Sequence, residues 1–276
     1  MKTRRLIPCL LCIAMMLAFL PMVWAADPPP LPASTTLNIT VDGAAMTVKA
    51  YNVVYVANPV QVRDTTPPGP PVITTAYQTM NIYVPDNATE ASPIILQDNN
   101  SGWNGGKPGT SVVPGAVCVT TGSTTGLTAC NQNVAVALKA GYVIANVGCR
   151  SRLFGAQDIN NNYIAHSPAQ VVDVKAAIRY LRRYNDAAMP GNTKRIIITG
   201  TSGGGALGVA IAASGNSPDY YPYLYELGAA GVTCNGGTCS PPSTTTSLGR
   251  CSTARSPTWI TWTRPMSGCT VRPGRK

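Results

Sequence analysis

Acidic residues and histidine are scarce in this sequence: 11 Asp and Glu and a single histidine stand against 21 Lys and Arg in 276 residues. One histidine excludes any site built on a histidine cluster, and His166 lies far along the chain from the closely spaced Cys234 and Cys239. Charge of either sign is sparse, at 12% of residues against about 25% in an ordinary soluble domain. A hydrophobic content of 45% nevertheless excludes a disordered chain. Long apolar runs are also missing. The one candidate, between Pro8 and Pro21, has twelve residues, short of the roughly 20 that span a bilayer. No stable membrane anchor is therefore expected, and no lipoprotein cleavage motif is present.

The net charge of +10 does not describe a binding surface. Three basic residues fall in the first five positions and six in the last 27, leaving 12 basic and 11 acidic residues between them. Nothing there tracks a phosphate backbone, so no nucleic-acid partner is expected. The length suits one main domain. The opening MKTRR, the apolar stretch to Trp24 and the small-x-small sequence Val23-Trp24-Ala25 predict a signal peptide over residues 1–25. Cleavage near Ala25 would send the product to the periplasm or outside the cell. In that oxidising setting Cys118/Cys130 and Cys234/Cys239 are disulfide candidates, with Cys149 left unpaired. The spacing argues against zinc, and no metal or other cofactor is expected.

Residues 26–36 form a Pro-rich leader with no evident means of packing. Residues 37–41, 46–56 and 77–84 are rich in β-branched and aromatic side chains between turn formers, which predicts antiparallel strands. From Pro93 onward, short apolar strands (PIILQ, YVIANV, RIIIT) alternate with helical stretches. Residues 37–239 thus read as an α/β domain, a mostly parallel sheet flanked by helices with antiparallel N-terminal strands. The clearest helix has Ser167 as N-cap and Pro168 at its first position and runs to about Tyr184. Val171, Val174, Ala177, Ile178 and Leu181 form its apolar stripe, and Lys175, Arg179, Arg182 and Arg183 are expected on a solvated face. Tyr220, Tyr221, Tyr223 and Tyr225 are expected to pack rather than line a pocket.

The chemistry centres on residues 195–213, where RIIIT runs into Gly200-Thr201-Ser202-Gly203-Gly204-Gly205 and then a small-residue helix. This is the pattern of a nucleophile elbow. A strained turn presents the serine above the sheet, and its neighbours must lack side chains that would strike the strand or block approach. Ser202 is the candidate nucleophile, and the amide of Gly203 is a candidate donor to the developing oxyanion. A second donor should come from the loop after an earlier strand. Aligning residues 99–103, NNSGW, under the HGGGW pattern puts the amides of Asn100 and Ser101 at the oxyanion hole.

At these motifs the chain resembles the secreted α/β-hydrolases of the tannase-like and feruloyl-esterase-like carboxylesterase group. Four segments carry the resemblance: ANVGCRSR (145–152), HSPAQVVDVKAAIRYLR (166–182), RIIITGTSGGGALGVAIAASGNSPDYYPYL (195–224) and YELGAAGV (225–232). The resemblance implies hydrolysis of small-molecule carboxylic esters, among them esters of aromatic acids, through an acyl-enzyme on Ser202. Two other functions share the fold: a serine peptidase and a secreted binding protein without catalysis.

A serine hydrolase also needs an imidazole base and a carboxylate, in chain order serine, acid, histidine. After Ser202 the only acids are Asp219 and Glu226, and no histidine follows. His166 precedes a helix cap, where a structural or substrate-side role is expected. From Ser240 the sequence changes to a basic, Ser/Thr/Pro-rich tail over 240–276 with no acid and no regular period. The genetic code offers a reading of that tail. One base upstream, Trp259-Ile260 and Trp262-Thr263 must each encode Asp, and Ile260-Thr261 encodes His, Asn or Tyr. One back-translation there is an amphipathic segment, so the tail is expected to be out of frame. This chain would then be a truncated, inactive form whose triad Asp and His were encoded downstream, with a parallel sheet edge left exposed.

Overall fold

The computed structural model describes residues 27–98, 100, 102–122, 130–152, 157–185, 189–235 and 237–240, with the backbone of two strands at Cys251–Thr253 and Trp259–Trp262. The signal peptide, Ser101 and most of the tail, Cys269 included, lie outside the described residues.

The strands in chain order are β1 (Thr35–Val41), β2 (Ala44–Val54), β3 (Val62–Asp64), β4 (Val72–Thr74), β5 (Thr79–Pro85), β6 (Pro93–Asp98), β7 (Val117–Cys118) and β8 (Val143–Val147). They continue with β9 (Asn192–Thr199), β10 (Thr233–Asn235), β11 (Thr238–Ser240), β12 (Cys251–Thr253) and β13 (Trp259–Trp262). The helices are α1 (Gln132–Lys139), α2 (Ala169–Arg183), α3 (Gly203–Ser214) and α4 (Tyr221–Glu226).

One sheet runs in the order β12-β13-β9-β6-β8-β5-β2-β1-β7. β6 lies between β8 and β9 and is parallel to both. β1, β2 and β5 form the antiparallel N-terminal part, joined antiparallel to β8 through β5. The β1–β2 hairpin turns through Asp42 and Gly43, both at positive φ (49° and 82°), the conformation that two-residue hairpin loops require.

Side-chain alternation builds two apolar layers. Ile94 and Leu96 of β6, Val143, Ala145 and Val147 of β8, and Ile196 and Ile198 of β9 pack with α2 and α3. Ile95, Ile144 and Tyr83 point the other way, into a second cluster with Val134 and Leu138 of α1 and Leu37, Ile39 and Val41 of β1. The result is the α/β-hydrolase-type sheet flanked by helices. Because β6, β8 and β9 are parallel, their carboxyl ends meet on one rim of the sheet, where open α/β folds place their sites.

Several local expectations are corrected. The helix does not start with Ser167 as cap and Pro168 as first residue. Ala169 N donates to His166 O at 2.8 Å, the cap position falls on Pro168, and α2 begins one residue later. The leader does pack: Pro28 O accepts from the Tyr184 hydroxyl, Asp27 pairs with Arg183 at 3.3 Å, and Leu31 packs against the core. The sheet edge beyond β9 is not bare, since β13 pairs with β9 antiparallel and β12 with β13.

The expectation of a solvated cationic face fails for Lys175 and Arg179, which are 3% and 7% exposed. Residues 169–181 are buried without a break, because the sheet covers one side of α2 and the chain after α3 covers the other. Lys175 Nζ donates to Gly215 O, beyond the C-terminal end of α3, and lies 4.6 Å from the Tyr220 ring centroid. Arg179 reaches Asn216 Oδ1 at 3.2 Å and Ala230 O at 3.5 Å, with Tyr221 beneath its guanidinium. Carbonyl acceptors, a helix C-terminus and aromatic faces thus replace carboxylates as partners. Tyr220 and Tyr221 cover these cations, Tyr225 packs on the core, and Tyr223 is exposed. Arg182 is half-buried and Arg183 exposed.

Candidate active site

β9 ends at Thr199, and within four residues the chain has reversed into α3. The turn is held by Gly204 N donating to Thr201 O and Ala206 N donating to Ser202 O, both at 3.0 Å. Ser202 sits at its apex, exposed, with φ 55° and ψ −113°. A side chain in that region costs on the order of 1–3 kcal/mol and persists only where the surroundings over-determine it. Ser202→Gly should therefore raise stability by about 1 kcal/mol, read as a shift in urea midpoint at unchanged m. A neutral or destabilising result would mean that the turn is relaxed.

The glycines around Ser202 make room for particular neighbours. A Cβ on Gly203 would lie 2.5 Å from Trp103 N and 2.6 Å from Gly102 N, so the first turn of α3 backs directly onto the loop after β6. Cβ atoms on Gly200 and Gly204 would lie 2.5 Å and 2.2 Å from Asp98 Oδ1. Gly102 and Trp103 both have φ of 62°, and Trp103 O accepts from Gln170 Nε2 of α2 at 2.6 Å. A tight turn, pinned from α2, thus carries two backbone nitrogens to the start of the nucleophile helix.

Those nitrogens belong to Gly102 and Trp103, which sequence reasoning passed over. The glycine-tryptophan pair of the HGGGW frame was the signal for them. Asn100 is buried, its carbonyl oxygen 3.3 Å from where a Gly204 Cβ would stand, and among the described residues its side-chain amide has no partner. Ser101 lies outside the described residues.

The third parallel strand contributes a buried ion pair. Past the end of β8, Arg150 donates from Nε and Nη2 to Asp173 Oδ1 at 3.1 and 2.8 Å, and from its backbone N to Oδ2 at 2.8 Å. Gln78 Nε2 adds a fourth donor at 2.8 Å. Arg150 also reaches the carbonyls of Ile164 and Ala169, tying the approach to α2 to the end of β8. Arg152 Nε reaches Asn104 Oδ1 at 3.3 Å, and Cys149 N donates to Gly106 O at 2.9 Å, which fixes the far side of the loop.

His166 is exposed, with its ring edge-on to Tyr163 at 4.3 Å. Among the described residues no hydrogen bond joins it to Ser202. Asp219 and Glu226 are both exposed, and Asp219 accepts from the Ser217 hydroxyl at 2.8 Å. Among the described residues no three His, Cys, Asp or Glu side chains gather where they could hold a metal. Cys118 is bonded to Cys130 and Cys234 to Cys239, while Cys149 is free and buried. The arrangement supplies a strained turn, a serine and backbone N–H groups, and among the described residues no base lies beside the serine.

The family model for BD-FAE matches residues 80–226, a span that holds β6, β8, β9, α2 and the elbow. The tannase of Fusobacterium nucleatum is 35% identical with a TM-score of 0.57, over 71% of this chain and 38% of its own. The Lactobacillus plantarum tannase is 30% identical with a TM-score of 0.53, over 72% of this chain and 39% of its own. A tannin acyl hydrolase solved in complex with ethyl gallate is 30% identical with a TM-score of 0.52, over 72% of this chain and 40% of its own. The chain thus spans about two-fifths of the length of these tannases. No curated protein sequence matches it. With the elbow, the adjoining loop and the matched span in agreement, the chain belongs to the BD-FAE family of feruloyl-esterase-like α/β-hydrolases.

Proposed function

We propose that the chain is built for serine ester hydrolysis through an acyl-enzyme on Ser202. The observation that carries this is the backbone of Ser202, held at φ 55° on a strand-to-helix turn whose first helical residue meets the amides of a pinned loop. In this mechanism the Ser202 hydroxyl oxygen attacks the ester carbonyl carbon and gives its proton to a base. The carbonyl oxygen becomes an oxyanion that accepts from the Gly203 amide and from an amide of the loop after β6. Collapse expels the alcohol, which takes the proton back from the base, and water then cleaves the acyl-serine by the same route.

The substrate class is small carboxylic esters, with esters of aromatic acids favoured by the ethyl gallate bound in one tannin acyl hydrolase relative. The base is the missing part. With no histidine after Ser202, the 276-residue chain is inactive on this reading, and the triad Asp and His are encoded downstream in the alternate frame. The missing base is also what favours the second reading, a binding protein on the same fold.

The chain is secreted or periplasmic, and N-terminal sequencing of the exported product should find Ala26 at or near its start. Among the described residues no helix is long and apolar enough to cross a membrane. The direct test is release of gallate from methyl gallate by the full chain and by Ser202→Ala. The expected result is no turnover by either; turnover lost in Ser202→Ala would keep the nucleophile and refute the inactivity.

A further inference from the structure

Among the described residues the carboxyl group of Asp98, set against the elbow glycines, has no hydrogen-bond partner. It ends β6, it is 8% exposed, and among the described residues neither oxygen finds a donor. Its Oδ1 occupies the space that Gly200 and Gly204 both leave open, 2.5 and 2.2 Å from where their Cβ atoms would stand. Carbonyl oxygens border that space: Gly204 O is 2.8 Å from the Gly200 position and Asn100 O is 3.3 Å from the Gly204 position. These can accept a hydrogen bond from a neutral acid but repel a carboxylate.

Among the described residues no cation faces Asp98 from the elements packed on it. Gly200 and Gly204 of the β9–α3 turn lie against it, Asn100 O borders the same space, and Gly203 between them meets Gly102 and Trp103. From the β8 side comes the Cys149 thiol, pushed well above its ordinary value by burial, with Asp173 and Asp98 adding to the effect. Arg150 beside it is committed to Asp173. Burial alone pushes the Asp98 carboxyl up to about 8, so at neutral pH it is uncharged.

We propose that Asp98 is the positioning residue of the elbow: as a neutral acid it fills the joint between β6, the Ser202 turn and the Gly102–Trp103 loop, and its ionisation forces that joint open. The inference rests on the reading of Ser202 as nucleophile only for its catalytic consequence, an alkaline limit on activity. The sign for stability follows from linkage. Between an unfolded value near 3.8 and the folded value near 8, unfolding releases a proton, so stability falls as pH rises through that window and levels off above it. Lys175, pulled down to about 8 by burial and Arg179, acts oppositely and only above pH 8.

The experiment uses the full chain and its Asp98→Asn, Ser202→Ala and Trp103→Phe variants, followed by tryptophan emission and thermal unfolding from pH 5 to 9. The parent should lose about 10 °C in Tm between pH 5 and 8 and show a reversible emission change centred near pH 8. Asp98→Asn should hold its Tm across that window and lose the transition. Ser202→Ala should keep both signals, and Trp103→Phe should keep the Tm slope while losing the emission change. A transition that survives in Asp98→Asn overturns the proposal. Should Asp98→Asn not fold, the parent decides, because a flat Tm from pH 5 to 8 overturns it equally. Failure of the nucleophile reading shows elsewhere, as ester turnover that survives Ser202→Ala, and leaves these signals untouched.

Discussion

Asp173→Ala should cost about 3–5 kcal/mol, the loss expected when one partner of a buried ion pair is removed. Asp173 is fully buried and Arg150 is 12% exposed at its side chain. Deleting the carboxylate leaves a guanidinium facing an apolar core, and it orphans the Arg150 backbone N and Gln78 Nε2 as well. A typical domain has 5–15 kcal/mol in hand, so the variant should stand close to unfolding. The damage should reach the site, since Arg150 also holds the carbonyls of Ile164 and Ala169 at the entry to α2, whose Gln170 pins Trp103. Asp173→Asn keeps an acceptor for one or two of these donors and should fall between parent and alanine. Urea unfolding measures both, and a cost below about 1 kcal/mol for alanine would mean that the pair does not organise this rim.

Gly203→Ala is the second large effect. The added methyl carbon would stand 2.5 Å from Trp103 N, 2.6 Å from Gly102 N and 2.9 Å from Gly102 Cα. All three are backbone atoms of a turn fixed from α2, so no side chain can swing aside. The loop must move, and overpacking of this kind costs about 1–3 kcal/mol. The functional loss should be larger than the stability loss, because displacing an oxyanion donor costs roughly 100-fold or more in rate. On the proposed mechanism, a frame-restored protein carrying Gly203→Ala should therefore keep its fold at room temperature and lose kcat rather than raise KM. Unchanged kcat would show that the loop's amides do not serve the reaction.

How much of this was legible follows the range of each signal. The elbow was readable because its causes are local: strand, serine and four glycines stand within a dozen residues. The short apolar strand PIILQ was readable for the same reason, whereas the opposite faces of Ile94 and Ile95 come from the packed layers. The buried cations were not, because Lys175 and Arg179 fall outside the apolar stripe of α2, and only the later return of Tyr220, Tyr221 and Gly215 covers them. Asp98 directly follows the apolar run PIILQ. Its burial comes from Gly200 and Gly204, about a hundred residues away, and no local pattern reports it. The path of residues 100–103 was fixed in outline by the HGGGW frame, but contacts with Gly203 and Gln170 decide which amides reach the helix.

The most direct test of the central claim is hydrolysis of methyl gallate by protein expressed from the gene with its other reading frame restored between the codons for Cys239 and Trp259, beside its Ser202→Ala variant and the 276-residue chain. The account predicts turnover by the restored protein, a loss on the order of 1,000-fold or more in Ser202→Ala, and none by the 276-residue chain. Turnover that survives Ser202→Ala, or a restored protein with no activity and no histidine after Ser202, would contradict it.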